Sequence, residues 1–126
     1  MRVLNIVEAA YRATLEEQDD TIVWLTHAMK GANANVDVLL RGNAVSYAIR
    51  AQDASGLTVG DEAQIQPPQL ANDIAKLLDK GAKVYRVDEA LRERGIESGA
   101  LIGGLSFIPR GQIAKLFADY DQIWHW

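Results

Sequence analysis

The segment that most constrains the fold is residues 83–95, in which a strand pattern passes directly into a short helical one. Lys83 to Val87 carries the β-branched and aromatic side chains typical of a buried strand. Asp88 has the short acceptor side chain of a helix N-cap, and Gly95 suits the left-handed residue that ends a helix. A strand that continues into a helix is the building unit of α/β proteins, so this segment predicts an α/β fold.

Four other apolar segments predict strands, at residues 2–7, 36–40, 105–108 and 122–126. Between the strands lie helical patterns, among them a helix capped by Asp19 or Asp20, a short helix over 44–50 for which Asn43 can be the cap, a helix that starts at Pro67 and Pro68, and a last helix around Leu116. Strands that alternate with helices predict a three-layer α/β/α sandwich with a five-stranded, mainly parallel sheet of the flavodoxin-like kind. The chain of 126 residues is expected to form a single domain, 1–126.

The segment from Gln52 to Gln66 shows neither the helical nor the strand period. A run of that length without secondary structure is uncommon inside a compact domain. We therefore expect a functional loop, a lid or a subunit contact there.

Composition excludes several classes of protein. The chain has no cysteine, which rules out disulfides, thiolate catalysis and cysteine-metal sites. A net charge of −4 argues against a nucleic-acid partner, and no apolar run is long enough for a membrane span. With no signal peptide pattern at the first residues, a cytoplasmic location is expected, and no cofactor is predicted.

Arginines follow several of the predicted strands. Because ligands of open parallel sheets bind beyond the carboxyl ends of the strands, Arg12, Arg41 and Arg110 could converge there on an anion. Arg41 and Asn43 form the best single element, since they place a guanidinium beside a helix N-terminus. The alternative is that these arginines pair with neighbouring acids such as Glu8 and merely order the loops.

The two histidines do not predict a metal site. His27 lies beside the apolar stripe of the first helix and His125 lies between two tryptophans, far away in the sequence. A catalytic zinc needs about three closely spaced protein ligands, which the chain does not offer. Trp124 and Trp126 project to one face of the last strand, where burial in the core or in a subunit contact is the favoured explanation and a platform for ligand stacking is the alternative.

Three stretches carry a resemblance to a known family: residues 3–7, residues 37–45, and the run from Val84 and Tyr85 to residues 94–96. They span most of the chain, and the layout resembles the DsrE/DsrF-like family of small sulfur-relay proteins. The resemblance implies this α/β fold and a homo-oligomer.

Active members of that family carry a persulfide on a cysteine at the end of the third strand. The matching position is Val87, where a thiol would lie at the mouth of the crevice, and a second cysteine of some members falls at Ala90. Neither position can carry sulfur here. The chain is therefore expected to be a non-catalytic, homo-oligomeric binding or accessory protein that binds a partner protein or a small anion. The alternative is an enzyme that acts on a small anionic substrate in the arginine crevice.

Overall fold

The computed structural model describes residues 1–11, 19–53 and 55–126 of the chain. Its strands are β1 (Arg2–Val7), β2 (Asn35–Leu40), β3 (Thr58–Val59), β4 (Glu62–Ala63), β5 (Val84–Val87), β6 (Ser106–Ile108) and β7 (Gln122–His125). Its α-helices are α1 (Thr21–Gly31), α2 (Leu70–Asp79), α3 (Asp88–Glu93) and α4 (Ile113–Phe117). Three 3₁₀ helices cover Gly42–Ala48, Ser98–Ala100 and Arg110–Gln112.

Five of the strands form one sheet in the order β6-β5-β2-β1-β7, and every neighbouring pair in it is parallel. The register places Val3 opposite Val36 on one side of β1 and Gln122 on the other. The predicted α/β fold with a five-stranded parallel sheet is therefore confirmed.

The helices lie on both faces of the sheet. The chain moves from β1 to β2, β5 and β6 in one direction, and then returns across the sheet to β7 on the far side of β1. Because parallel crossovers are right-handed, this reversal places α4 on the face opposite to α1 and α2, which contact one another.

The central strands explain why the sheet is stable. In β1 and β2, five of the six residues in each strand are buried, as expected for strands covered on both faces. Ile74 and Leu77 of the amphipathic helix α2 are fully buried against this layer. The start of α1 is set by Asp20, a buried N-cap whose Oδ1 accepts from the backbone N–H groups of Ile22 and Val23.

The end of α3 is as predicted. Gly95 has a φ of +65°, its N–H donates to the Arg92 carbonyl, and the N–H of Ile96 donates to the Leu91 carbonyl. This pair of bonds is the Schellman motif, which favours glycine because other residues are strained at positive φ.

Two predicted caps are wrong. The N-cap of α3 is Val87, and Asp88 is already helical; the Asp88 carboxylate pairs with the guanidinium of Arg86 two residues earlier and does not cap the helix. Asn43 does not cap a helix either: Arg41 is the N-cap of the 3₁₀ helix that replaces the expected helix over 44–50. The side chain of Asn43 bonds instead to Arg94.

The segment 52–66 is also more ordered than predicted. It contains the antiparallel hairpin of β3 and β4, whose strands are too short to show a sequence period. Helix α2 begins at Leu70, after Pro67 and Pro68. Within the described residues, no helix has the length and apolar character that crossing a bilayer requires.

Candidate functional site

The reversal of strand order places a crevice at the carboxyl ends of β1 and β7. In open α/β sheets, ligands bind beyond the carboxyl ends of the strands, at the point where the strand order reverses. A cleft of ≈ 390 Å³ lies there. The cleft is shallow and open to solvent. Its lining residues are Glu8, Ala9, Gly42, Asn43, Arg94, His125 and Trp126.

Glu8, the residue after β1, is the central acid of this cleft. Its Oε2 lies 2.6 Å from Nε2 of His125, and its Oε1 lies 3.9 Å from Nε of Arg41. The backbone holds it in place, because its N–H donates to the Trp126 carbonyl and its carbonyl accepts from Ala44. Gly42 is required beside it: at a φ of +55°, an added Cβ would come within 2.9 Å of the Glu8 Cγ.

The opposite wall joins Asn43 to Arg94, which follows α3. The Nε–H of Arg94 donates to Oδ1 of Asn43 at 3.0 Å, and its Nη1 donates to the Ala90 carbonyl at 3.1 Å. These bonds fix the guanidinium plane against the end of α3. The acceptor atom of the Asn43 amide is thereby used within the protein, so its N–H₂ group turns away from Arg94.

Trp126 closes the cleft beside β7. Its indole Nε1–H donates at 3.2 Å to Oδ1 of Asn5, a fully buried residue in the middle of β1. The amide of Asn5 in turn donates at 2.9 Å to Oγ1 of Thr26 in α1. The polar edge of the indole is thus satisfied inside the protein, and the ring, 38% exposed, is left to line the cleft.

The predicted arginines are engaged with carboxylates. Arg41 pairs with Glu8, and Nη1 of Arg110 lies 2.7 Å from Oε1 of Glu93. The hydrogen bond from Arg110 lowers the pKa of the Glu93 carboxyl, and the backbone N–H of Arg110 likewise lowers the pKa of Glu89. Glu93 raises the pKa of Arg110 in return. The fourth predicted ligand-binding residue, Arg12, lies outside the described residues.

Val87 does not open into the crevice. Its side chain is 1% exposed and belongs to the hydrophobic core, although its backbone lies at the junction of β5 and α3. The expectation of an accessible position at the mouth of the crevice is therefore wrong, while the assignment of Val87 as the family's carrier position stays a prediction.

Sequence reasoning missed Arg94 as a cleft residue and did not predict the contact between Glu8 and His125. In the sequence Arg94 belongs to the helical pattern that ends at Gly95, and its partner Asn43 is 51 residues away. The available signal was their position: Glu8 follows β1, and His125 ends β7, the strand that pairs with β1. No group of metal ligands occurs among the residues that the structure describes.

Neither a scan against models of known protein families nor a search of the curated proteins matches this chain. Solved structures do match it. The ychN protein of E. coli superposes with a TM-score of 0.67 at 15% identity, over 99% of this chain and 98% of that one.

Two structures of proteins of unknown function are also similar. MTH1491 of Methanobacterium thermoautotrophicum gives a TM-score of 0.57 at 16% identity, over 96% and 95% of the two chains. BT1422 of Bacteroides thetaiotaomicron gives 0.67 at 11% identity, over 99% and 94%. At these identities the likeness establishes a shared fold along the whole chain, and function has to be argued from the site.

Proposed function

We propose that this chain is a non-catalytic binding protein related to the DsrE/DsrF-like sulfur-relay proteins, which assembles with copies of itself and binds a partner protein or a small anion. The observation that carries this proposal is that, among the described residues, the crevice lacks free reactive groups at the positions where the sulfur-relay proteins would react. The position matched to the carrier cysteine is a buried valine, and Arg41 and Arg110 are engaged in ion pairs.

The enzyme alternative has less support from the site. An enzyme that acts on an anionic substrate through Arg41 and Arg110 would need both guanidinium groups turned toward one point. Arg41 is instead bound to Glu8 after β1, and Arg110 is bound to Glu93 of α3. Binding without turnover requires no such convergence, so it is the function that these contacts favour.

Self-assembly is supported by the apolar surface of the β3–β4 hairpin. Leu57, Val59 and Ile65 are each more than 60% exposed. Apolar patches on a small domain usually mark interaction surfaces. A two-stranded hairpin is also marginal by itself in water. We infer that a second copy of the chain covers this hairpin.

The test is the molar mass from light scattering at micromolar concentration. We expect the wild type to have the mass of a closed oligomer, from dimer to hexamer, with a dimer or trimer favoured. Val59→Glu should lower that mass, because a carboxylate would be buried in the contact without a partner. Thr58→Glu is the matched control, since neighbouring residues of a strand face opposite sides.

A wild type that scatters as a monomer would contradict the assembly. Equal loss of mass in both variants would show that any charge in this hairpin disrupts the protein and that the apolar face is not the contact. The non-catalytic part has its own test: incubation with a persulfide donor should leave the intact mass unchanged, because the chain has no thiol to accept sulfur.

A further inference from the structure

We propose that the cleft between β1 and β7 is a binding site for a small aromatic anion, whose carboxylate or phosphate is held by Arg94 and Asn43 and whose ring lies against Trp126. This inference rests on the proposed binding function and names the ligand class of that crevice. Arg94 is not among the predicted ligand-binding residues, and Trp126 is predicted only as an alternative stacking platform.

The anion-binding element is the pair of Asn43 and Arg94. Two of the three guanidinium nitrogens of Arg94 already donate within the protein, to Asn43 and to the Ala90 carbonyl, and Nη1 also lies 3.7 Å from Oε2 of Glu93. The third nitrogen, Nη2, makes no such bond among the described residues. Because Oδ1 of Asn43 is the acceptor of this contact, the amide N–H₂ of Asn43 and Nη2 of Arg94 keep their donors, and both residues line the cleft. Two donor groups in one cleft, one of them charged, suit the oxygens of a carboxylate or phosphate.

The aromatic element is Trp126. Its N–H is bound to the buried Asn5, so a ligand has no need to satisfy the polar edge of the indole. The remaining contact area is apolar, and aromatic rings interact favourably with another ring in an offset or edge-on arrangement. The bond to Asn5 also fixes the ring relative to β1, so that less conformational freedom is lost when a ligand binds.

Glu8 and His125 line the same cleft and restrict what can enter. The carboxylate of Glu8 is engaged by His125 at 2.6 Å and by Arg41 at 3.9 Å, which reduces its repulsion of an anion. Its presence still disfavours a ligand with several negative charges spread along its length. The site therefore suits one anionic group at the Arg94 end and an uncharged ring at the Trp126 end.

The experiment is calorimetric titration of the intact protein with three probes: indole-3-carboxylate, adenosine monophosphate and inorganic phosphate. We expect at least one of the two aromatic anions to bind more tightly than inorganic phosphate. Tight binding of the carboxylate or of the nucleotide alone identifies which anionic group the site takes. Absence of saturable binding by both aromatic probes overturns the proposal.

Variants locate the site. Arg94→Ala should weaken binding of the aromatic anion by roughly tenfold to a hundredfold, the loss typical of a charge-assisted hydrogen bond. Asn43→Asp keeps an acceptor for Arg94 but removes the amide donors, so it should weaken binding without unfolding the protein. Trp126→Leu should bring the affinity of the aromatic probe down to that of inorganic phosphate.

The matched control is Arg92→Ala, on the same helix, where the side chain is 71% exposed and pairs with Glu89. It does not line the cleft and should bind as the wild type does. If Arg92→Ala lost as much affinity as Arg94→Ala, the effect would be one of overall charge, and the proposed site would be overturned. The molar mass is measured on the same samples. An oligomer that binds neither aromatic probe contradicts this ligand class alone, whereas a monomer contradicts the proposed assembly.

Discussion

Replacing Tyr120 with Phe should destabilise the protein measurably at neutral pH, although the substitution removes only the phenolic hydroxyl. Tyr120 lies before β7 and is 9% exposed, and its O–H donates at 2.7 Å to Oδ2 of Asp37. Asp37 lies inside β2 and is 5% exposed. Phenylalanine would keep the ring under the guanidinium of Arg2, whose central carbon lies 4.6 Å from the ring centroid.

The size of the loss follows from what remains around Asp37. Its Oδ1 keeps the backbone N–H of Lys83 at 2.8 Å, and among the residues that the structure describes its Oδ2 keeps only Arg2, at 3.8 Å. A hydrogen bond to a charged group contributes about 1.5–3 kcal/mol. We therefore expect the free energy of unfolding to fall by about 2 kcal/mol at neutral pH.

The same substitution should change the pH dependence of stability. Burial, and next the hydrogen bond to Asp37, raise the pKa of Tyr120 above its ordinary value. Above about pH 10 an unfolded tyrosine loses its proton while the folded one keeps it. The unfolded state then binds fewer protons, so stability falls as pH rises, by about 1.4 kcal/mol per pH unit. Phenylalanine has no proton to lose, and the difference between wild type and variant should shrink above about pH 10.

Urea denaturation at neutral pH and between about pH 9 and pH 11 measures both effects. Tyr11→Phe is the control at neutral pH, because its side chain is 38% exposed and its removal should cost less than about 0.5 kcal/mol. Equal stability of Tyr120→Phe and the wild type at neutral pH would refute the bond to Asp37. If the difference in the free energy of unfolding between the two proteins stayed constant into alkaline pH, the raised pKa of Tyr120 would be refuted.

Three further substitutions test other parts of the structure. Val87→Cys should remain unreactive toward iodoacetamide until the protein is unfolded, because Val87 is 1% exposed. The control is Ser106→Cys, at an exposed position. If the folded Val87→Cys protein reacted as fast as this control, the buried position would be contradicted. Gly95→Ala should lower the free energy of unfolding by about 1–2 kcal/mol, because φ is +65° there, while an added Cβ contacts nothing. In chemical denaturation a loss no larger than that of Gly99→Ala, which lacks positive φ, would argue against this strain. Arg41→Ala should cost about 1 kcal/mol or less, since its ion pair with Glu8 is long and partly exposed, and a much larger loss of stability would show a structural role.

Local sequence patterns identified most of the main elements correctly. The predicted strand over residues 2–7 matches β1, and that over 36–40 differs from β2 by a single residue. The apolar, β-branched side chains of these strands suffice, because burial on both faces favours the same residue types throughout. The glycine at the end of α3 was equally readable, since few other residues tolerate its backbone conformation.

The candidate site was less predictable. The loops at the carboxyl ends of the strands could be named in advance, and Glu8, Arg41 and Asn43 do lie there. Which side chains pair could not be inferred, because each polar side chain can bond to several partners, and the folded structure decides which of them is in reach. Asp88 has the side chain of an N-cap, but Arg86 is close enough to take its carboxylate.

By itself the sequence determined the α/β class, the parallel strands and the absence of thiol chemistry, because each follows from residue types in short segments or from composition. Only the tertiary structure decided the strand order β6-β5-β2-β1-β7 and the cleft that results from it. The contact of Glu8 with His125 joins residues 117 positions apart, and that of Trp126 with Asn5 joins residues 121 apart. Local propensity carries no information on such contacts. They form because β7 pairs with β1, and that pairing depends on how the whole sheet packs.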